Sequence, residues 1–291
     1  MEATDLIKRV RKIEIKTRGL SQHIFAGEYH SAFKGKGMAF SEVREYQYGD
    51  DIRNVDWNVT ARFNHPYIKI FEEERELTVV LLVDVSGSRF FGTQSQLKMN
   101  VITEISAVLS FSAIQNNDKV GVILFSDKIE KFIPPKKGKQ HILRIIRELI
   151  NFTPENRKTS ITEALRFLIN AIKKKSIVFL ISDFMDANFD DALRIAAKKH
   201  DLVGLRIYDI RETELPKVGL INIKDAESGK DMLVDTSSNF IRNSYKNAWK
   251  KRTDELNEIF VKLGVDVVSI STEEDYVKPL INLFKKRSTT V

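Results

Sequence analysis

One aspartate and two serines, Asp84, Ser86 and Ser88, follow an unbroken apolar run from Val79 to Val83. Oxygen-bearing side chains at i, i+2 and i+4, just past the carboxyl end of a buried strand, outline a metal-binding loop, because open α/β sheets place ligands at that end of their strands. A carboxylate and two hydroxyls are hard donors of the kind Mg2+ takes, and Mg2+ keeps several waters instead of filling an all-protein cage. An ion held in this way would remain open to another ligand. Two further oxygen donors lie downstream: Thr159, at the start of a helical pattern, and Asp183, directly after the apolar run Ile177 to Ser182. A plainer reading stays open beside this one, in which Asp84 caps its loop, Ser86 and Ser88 cap the next helix, and Thr159 and Ser160 cap another.

These donors need elements to position them. The run Val79 to Val83 is continuous and rich in β-branched residues, so it reads as a central parallel strand. From Leu77 onward strands alternate with helices: strands at 77–84, 119–126, 129–133, 176–182, 201–208 and 265–270, and helices near 95–116, 138–150, 160–174, 188–199, 238–263 and 274–286. That alternation predicts an α/β fold with a doubly wound, mostly parallel sheet and helices on both faces. A hairpin around Glu227 to Lys230 interrupts it near 216–236. Upstream, residues 2–17 carry an amphipathic helical pattern that ends at Gly19. Residues 21–76 have glycines at 27, 35, 37 and 49 and little sustained periodicity, which predicts a small, irregular, strand-containing subdomain. The expected division is an amino-terminal helix over 1–20, this subdomain over 21–76, and the sheet domain over 77–287.

The chain has 291 residues, 42% of them hydrophobic, enough to bury a sizeable core. It has no cysteine, which excludes disulfides, thiolate zinc sites and a cysteine nucleophile. No apolar stretch reaches the roughly 18 to 20 residues that cross a bilayer, and the first residues lack the apolar centre of a signal peptide, so a cytoplasmic protein without a membrane span is expected. Forty-seven Lys and Arg against 40 Asp and Glu give a net charge of +7, a surplus that favours acidic protein partners, anionic surfaces or nucleic acid. Nothing in the pattern suggests a recognition helix or an aromatic platform for single strands, so nucleic-acid binding is the weaker of these readings.

The order Asp84-x-Ser86-x-Ser88, then Thr159, then Asp183 after a buried strand resembles the metal-ion-dependent adhesion site of von Willebrand factor A domains. Upstream, Gly27 to Ser31, Lys34 to Gly37, Phe40 to Tyr46 and Tyr48 to Trp57, followed by Ala61-Arg62, resemble the family catalogued as domain of unknown function number 58, which carries a von Willebrand A-like module. The likeness continues through Leu215-Pro216, Asp225 to Gly229 and Val234 to Thr236. It implies that Ser86, Ser88 and Thr159 contact a Mg2+ ion (or Mn2+ or Ca2+) directly, with Asp84 and Asp183 acting directly or through water. It also implies a non-catalytic, metal-dependent protein-interaction module. The expected partner is a protein that supplies an acidic residue, such as a MoxR-type AAA+ ATPase. Arg157 and Lys158 stand where the family often has small residues, and Arg89 follows Ser88; they add positive charge at the entrance or crowd it.

Other chemistries weigh less. An aspartate at a strand end could be a phosphate-accepting nucleophile, so Mg2+-dependent phosphate-ester chemistry on Asp84 is the alternative reading, although a hydroxyl stands at Ser86 where a second acid is usual. The histidines at 23, 30, 65, 141 and 200 show no metal-ligand spacing. The cluster Arg44, Tyr46, Asp50, Asp51, Arg53, Asp56, Trp57 and Arg62 reads either as an ion-paired scaffold for the small subdomain or, together with Arg89, as a partner-docking surface with aromatic and Arg anchors.

Overall fold

The computed structural model describes residues 11, 13, 39–63, 65–72, 77–90, 97–224 and 231–290. The helix expected over 2–17 lies outside the described residues except for Arg11 and Ile13, both helical, and the hairpin turn expected at Glu227 to Lys230 lies outside them altogether. The chain divides into two compact units, one formed by Lys34–Glu76 and the other by the remainder.

In the small unit, strands β1 (Ala39–Glu45) and β2 (Tyr67–Glu72) pair antiparallel, with an irregularity between Phe40 and Glu42. Between them lie a single 3-10 turn, Ile52–Asn54, and helix α1 (Trp57–Phe63). Acidic side chains start both: the Asp51 carboxylate accepts from the Arg53 amide at 3.0 Å, and Asp56 accepts from the amides of Asn58 and Val59 at 3.0 and 3.3 Å. The sequence pattern suggests only strands and turns here. Helix α1 escapes it because seven residues give too few turns to establish an apolar period, and Trp57 and Phe63 are exposed.

The large unit begins with β3 (Thr78–Asp84), a 3-10 turn at Gly87–Phe90 and α2 (Lys98–Gln115). It continues with β4 (Lys119–Phe125), β5 (Ile129–Lys136), α3 (Lys139–Asn151), α4 (Ile161–Ala171), β6 (Ile177–Ser182) and α5 (Asp190–Lys199). Next come β7 (Asp201–Tyr208), the short α6 (Ile210–Thr213), β8 (Leu220–Lys224), β9 (Asp231–Asp235), α7 (Asn239–Lys262), β10 (Asp266–Ser271) and α8 (Val277–Thr290). Six strands form one sheet in the order β10-β7-β6-β3-β4-β5, all parallel except the edge strand β5, while β8 and β9 make a separate hairpin.

Burial follows the pleat. Val79, Leu81 and Val83 join a core with Ile105 and Leu109 of α2 and Leu280 and Phe284 of α8. The alternate residues Val80 and Leu82 join a second core with α4, α5 and α7. A strand covered on both faces has no position for a polar residue, hence its unbroken apolar sequence. Helix α2 is buried on a second side as well, where Ala107 and Phe111 meet Ile142, Ile146 and Ile150 of α3, with Ile13 against the same cluster. A side chain at Gly204 in β7 would meet the Phe260 ring at 2.6 Å, so the close approach of α7 to the sheet requires a glycine there.

The order of the strands decides where the site forms. From β3 the chain moves outward on one side to β4 and β5, then returns to the other side with β6, β7 and β10. The carboxyl ends of β3 and β6 therefore flank the switch point, where the connections diverge and leave a crevice. Asp84 ends β3, and Asp183 follows β6.

Candidate functional site

Asp84 is 3% exposed and both of its oxygens are engaged. Oδ1 accepts from the Ser86 amide at 2.9 Å, and Oδ2 accepts from the Ser182 hydroxyl at 2.7 Å. The first bond bends the chain after β3, so that the Ser86 hydroxyl comes within 3.2 Å of that of Ser88. Asp183, also buried, accepts from the Met185 amide at 3.2 Å and from the Ser88 hydroxyl. Its loop turns sharply at Phe184, whose φ of 56° lies in the left-handed region and whose ring packs edge-on against Phe260. Burial of that ring holds the otherwise unfavourable backbone in place.

The Thr159 segment is fastened beside these residues. The Gly87 amide donates to the Arg157 carbonyl at 3.0 Å, the Ser160 amide to the Ser126 carbonyl at 2.8 Å, and the Ile161 amide to the Asp186 carboxylate at 2.7 Å. Residues 157–161 thus run against the loop after β3, the end of β4 and the loop after β6. Thr159 is half-buried between these anchors, and Ser160 caps α4 through the Glu163 amide. Two of the capping roles open at the sequence level are therefore occupied, by Asp84 in its own loop and by Ser160 at α4.

The electrostatics distinguish the two carboxylates. Burial, then the nearby charge of Asp183, push Asp84 up to about 7 despite the hydrogen bonds from Ser182 and Ser86. Burial also works against Asp183, but the Lys98 ammonium and hydrogen bonds hold its carboxyl below the ordinary range. Lys98, 1% exposed, donates from Nζ to Asp183 Oδ2 at 3.1 Å and pairs with Glu212 of α6. Burial alone would lower the lysine, yet the two acidic partners hold it above its usual value. Glu212 is pushed up by burial, against the pull of Lys98. Arg206 of β7, lying over the Trp249 ring at 4.6 Å, adds another cation within reach of Asp183 and Glu212.

Chemically, Asp84, Ser86, Ser88 and Asp183 form one hydrogen-bonded group of hard oxygen donors in which one carboxylate lacks a full counter-charge. Such a set suits a hydrated Mg2+-like cation. Among the described residues no three His, Cys, Asp or Glu side chains group as a metal cage, so any ion here depends on hydroxyls and water for the rest of its shell.

Sequence reasoning misses Lys98, Ser182 and Glu212. Ser182, next to Asp183, carries a weak signal as a hydroxyl closing a buried strand. Lys98 and Glu212 carry none, since they meet across 114 positions of chain.

The docking candidates of the small unit are largely committed to their own turns. Arg44 grips Asp50 through two bonds of 2.9 and 2.8 Å, Asp51 pairs with Arg53, and Asp56 reaches Lys69 at 3.5 Å. Tyr46 is half-buried, its amide bonded to the Pro66 carbonyl. Trp57 and Arg62 are exposed, as are Tyr48, Ile52 and Phe63. The side chain of Arg89 lies outside the described residues.

A family model described as protein of unknown function DUF58 matches residues 42–255. An uncharacterised protein of Mycobacterium tuberculosis is 26% identical over 287 residues, covering 97% of this chain and 90% of that relative. Among solved structures, an aerotolerance-related membrane protein of Bacteroides fragilis, bearing multiple mutations to serines, matches with a TM-score of 0.50 at 13% identity, over 74% of this chain and all of that one (100%). The VWA (von Willebrand A) domain of SpRpn10 matches with a TM-score of 0.40 at 11% identity, over 72% of this chain and 94% of that one. The chain itself is an α/β fold, a mostly parallel sheet between helices. No helix among the described residues is long and apolar enough to cross a membrane.

Proposed function

We propose that this chain, which belongs to the DUF58 family of proteins of unknown function, is a Mg2+-dependent protein-interaction module. Ser86, Ser88 and Thr159 would hold the ion directly, and Asp84 and Asp183 directly or through water. A bound divalent ion supplies an open coordination position that a partner's aspartate or glutamate can fill. The observation that carries this reading is the pair Asp84 and Asp183: two buried carboxylates beside three serine hydroxyls at the switch point of the sheet, one of them driven up to about 7. Lys98 neutralises Asp183, but a charged Asp84 buried beside it still costs stability, which a divalent cation would relieve.

The chain's own residues prepare the surroundings for an acidic partner. Arg157 and Lys158, exposed beside the loop after β3, and Arg252, exposed and bonded to the Met185 carbonyl at 3.3 Å, put positive charge around the crevice. Charges at such a rim steer and orient an acidic side chain more than they bind it. The family resemblance suggests a MoxR-type AAA+ ATPase as that partner. Phosphate-ester chemistry on Asp84 has less support: a nucleophile needs a free oxygen, whereas both oxygens of Asp84 accept hydrogen bonds and the residue is 3% exposed.

Calorimetric titration with Mg2+ or Mn2+ is expected to give saturable heat with the wild type and none with Asp84→Ala. Immobilised in Mg2+, the wild type is expected to enrich an AAA+ protein from its native cell extract and the variant to lose it. Equal, negligible heats in both proteins would refute the metal reading, and enrichment that survives Asp84→Ala would refute the metal's role in the partnership.

A further inference from the structure

The buried lysine beside Asp183 stands where neither packing nor helix chemistry favours it. Lys98 is the first residue of α2, so its ammonium lies at the end of the helix where the macrodipole disfavours positive charge. No side chain caps that helix start. The ammonium is nonetheless almost fully withdrawn from water and fixed between two carboxylates, Asp183 after β6 and Glu212 in α6. Glu212 in turn is held in place: its second oxygen accepts from the Asp209 amide at 2.9 Å, and the Asp209 carboxylate accepts from the Thr272 hydroxyl at 2.9 Å. The lysine therefore reaches Asp183 from a rigid mount.

We propose that Lys98 is a tethered cation that shares Asp183 with the divalent ion, holding the protein's affinity for the free metal low so that tight occupancy depends on a partner's carboxylate. This role rests on the metal reading of the site and follows from charge. Without Lys98, the Asp183 carboxylate would face an entering cation unneutralised beside Asp84, and the two would bind it more strongly on their own. With Lys98 in place, Asp183 is already neutralised, and the ion enters against a positive charge bonded to one of its own donors. A partner's aspartate or glutamate adds the missing negative charge. Metal and partner then strengthen each other's binding reciprocally, as linkage requires. Glu212 gives the ammonium a second resting partner, so Asp183 can turn toward the metal without stranding a buried lysine.

Mn2+ alone is the probe. Lys98→Met is expected to bind Mn2+ roughly tenfold or more tightly than the wild type, the scale on which one neighbouring charge acts in a partly screened interior. Its melting temperature should also rise with Mn2+ by more than that of the wild type. Because Lys98→Met leaves Glu212 buried without its cation, the same comparison is made between Lys98→Met/Glu212→Gln and Glu212→Gln alone, where the same tightening is expected. Lys98→Arg, which keeps the charge, should stay near the wild-type affinity. Equal or weaker Mn2+ binding when the lysine is removed, with saturable binding in the wild type, would overturn the role of Lys98 and leave the metal site standing. Absence of Mn2+ binding in every variant would overturn both.

Discussion

Asp183→Ala is expected to remove about 3 kcal/mol of folding stability in metal-free buffer, measured by urea denaturation. The magnitude follows from what the carboxylate faces. Lys98 is 1% exposed, and an ammonium withdrawn from water costs several kcal/mol unless it is paired. Asp183 supplies that pairing at 3.1 Å and also accepts from the Met185 amide, which the alanine would strand. Breaking a buried pair from one side typically costs about 3–5 kcal/mol, and the lower figure applies because Glu212 still holds the lysine. Asp191→Ala is the contrast: its pairing with Arg194 is solvent-exposed and worth under about 1 kcal/mol. A loss at Asp183 no larger than the loss at Asp191 would mean that the buried network does not hold this end of the sheet together.

The second large effect is a pH-dependent gain of stability on neutralising Asp84. Unfolded, this carboxyl releases its proton near its ordinary value of 3.8; folded, it keeps the proton up to about 7 because burial and Asp183 disfavour its charge. Between those values the folded state binds more protons than the unfolded state, so stability falls as pH rises. Asp84's favourable contribution is complete below 3.8 and gone above about 7. Asp84→Asn is neutral at every pH, and its amide can accept from the Ser86 amide and donate to Ser182. The variant should therefore exceed the metal-free wild type at pH 8 by roughly 2–4 kcal/mol, a ceiling set by about 1.36 kcal/mol for every tenfold change in proton affinity between the two states, and match it by about pH 4. Saturating Mg2+ should stabilise the wild type and leave the variant unchanged. A difference between the two proteins that does not vary from pH 4 to 8 would contradict the electrostatic account of the carboxylate pair.

Much of the sheet is legible in the sequence because parallel strands buried on both faces admit few polar positions. The strands expected at 176–182 and 201–208 coincide with β6 and β7 within a residue, the first marked by the apolar run Ile177 to Ile181 and the second apolar apart from Asp201, Gly204 and Arg206. The antiparallel direction of β5 has a local cause: Ser126, Asp127 and Lys128 are too few to carry a crossover, so the strand must turn back on β4. What is illegible is short or distant. Helices α1 and α6 have seven and four residues and no periodicity to detect. In the candidate site, Asp84, Ser86 and Ser88 are read from their spacing and Asp183 from its place after a strand. Lys98 looks like any surface lysine at a helix start. Only the folded chain brings it to Asp183, 85 positions away, and to Glu212, and that meeting changes the site from a cluster of acids into a partly neutralised one.

Anomalous diffraction from crystals grown with Mn2+ tests the central claim most directly. One strong peak is expected at the carboxyl end of β3, about 2.1 Å from the hydroxyls of Ser86 and Ser88, with Thr159, Asp84 and Asp183 bound to it or to its waters. Crystals in millimolar Mn2+ whose only peaks lie elsewhere, with the Ser88 hydroxyl still donating to Asp183, would contradict it.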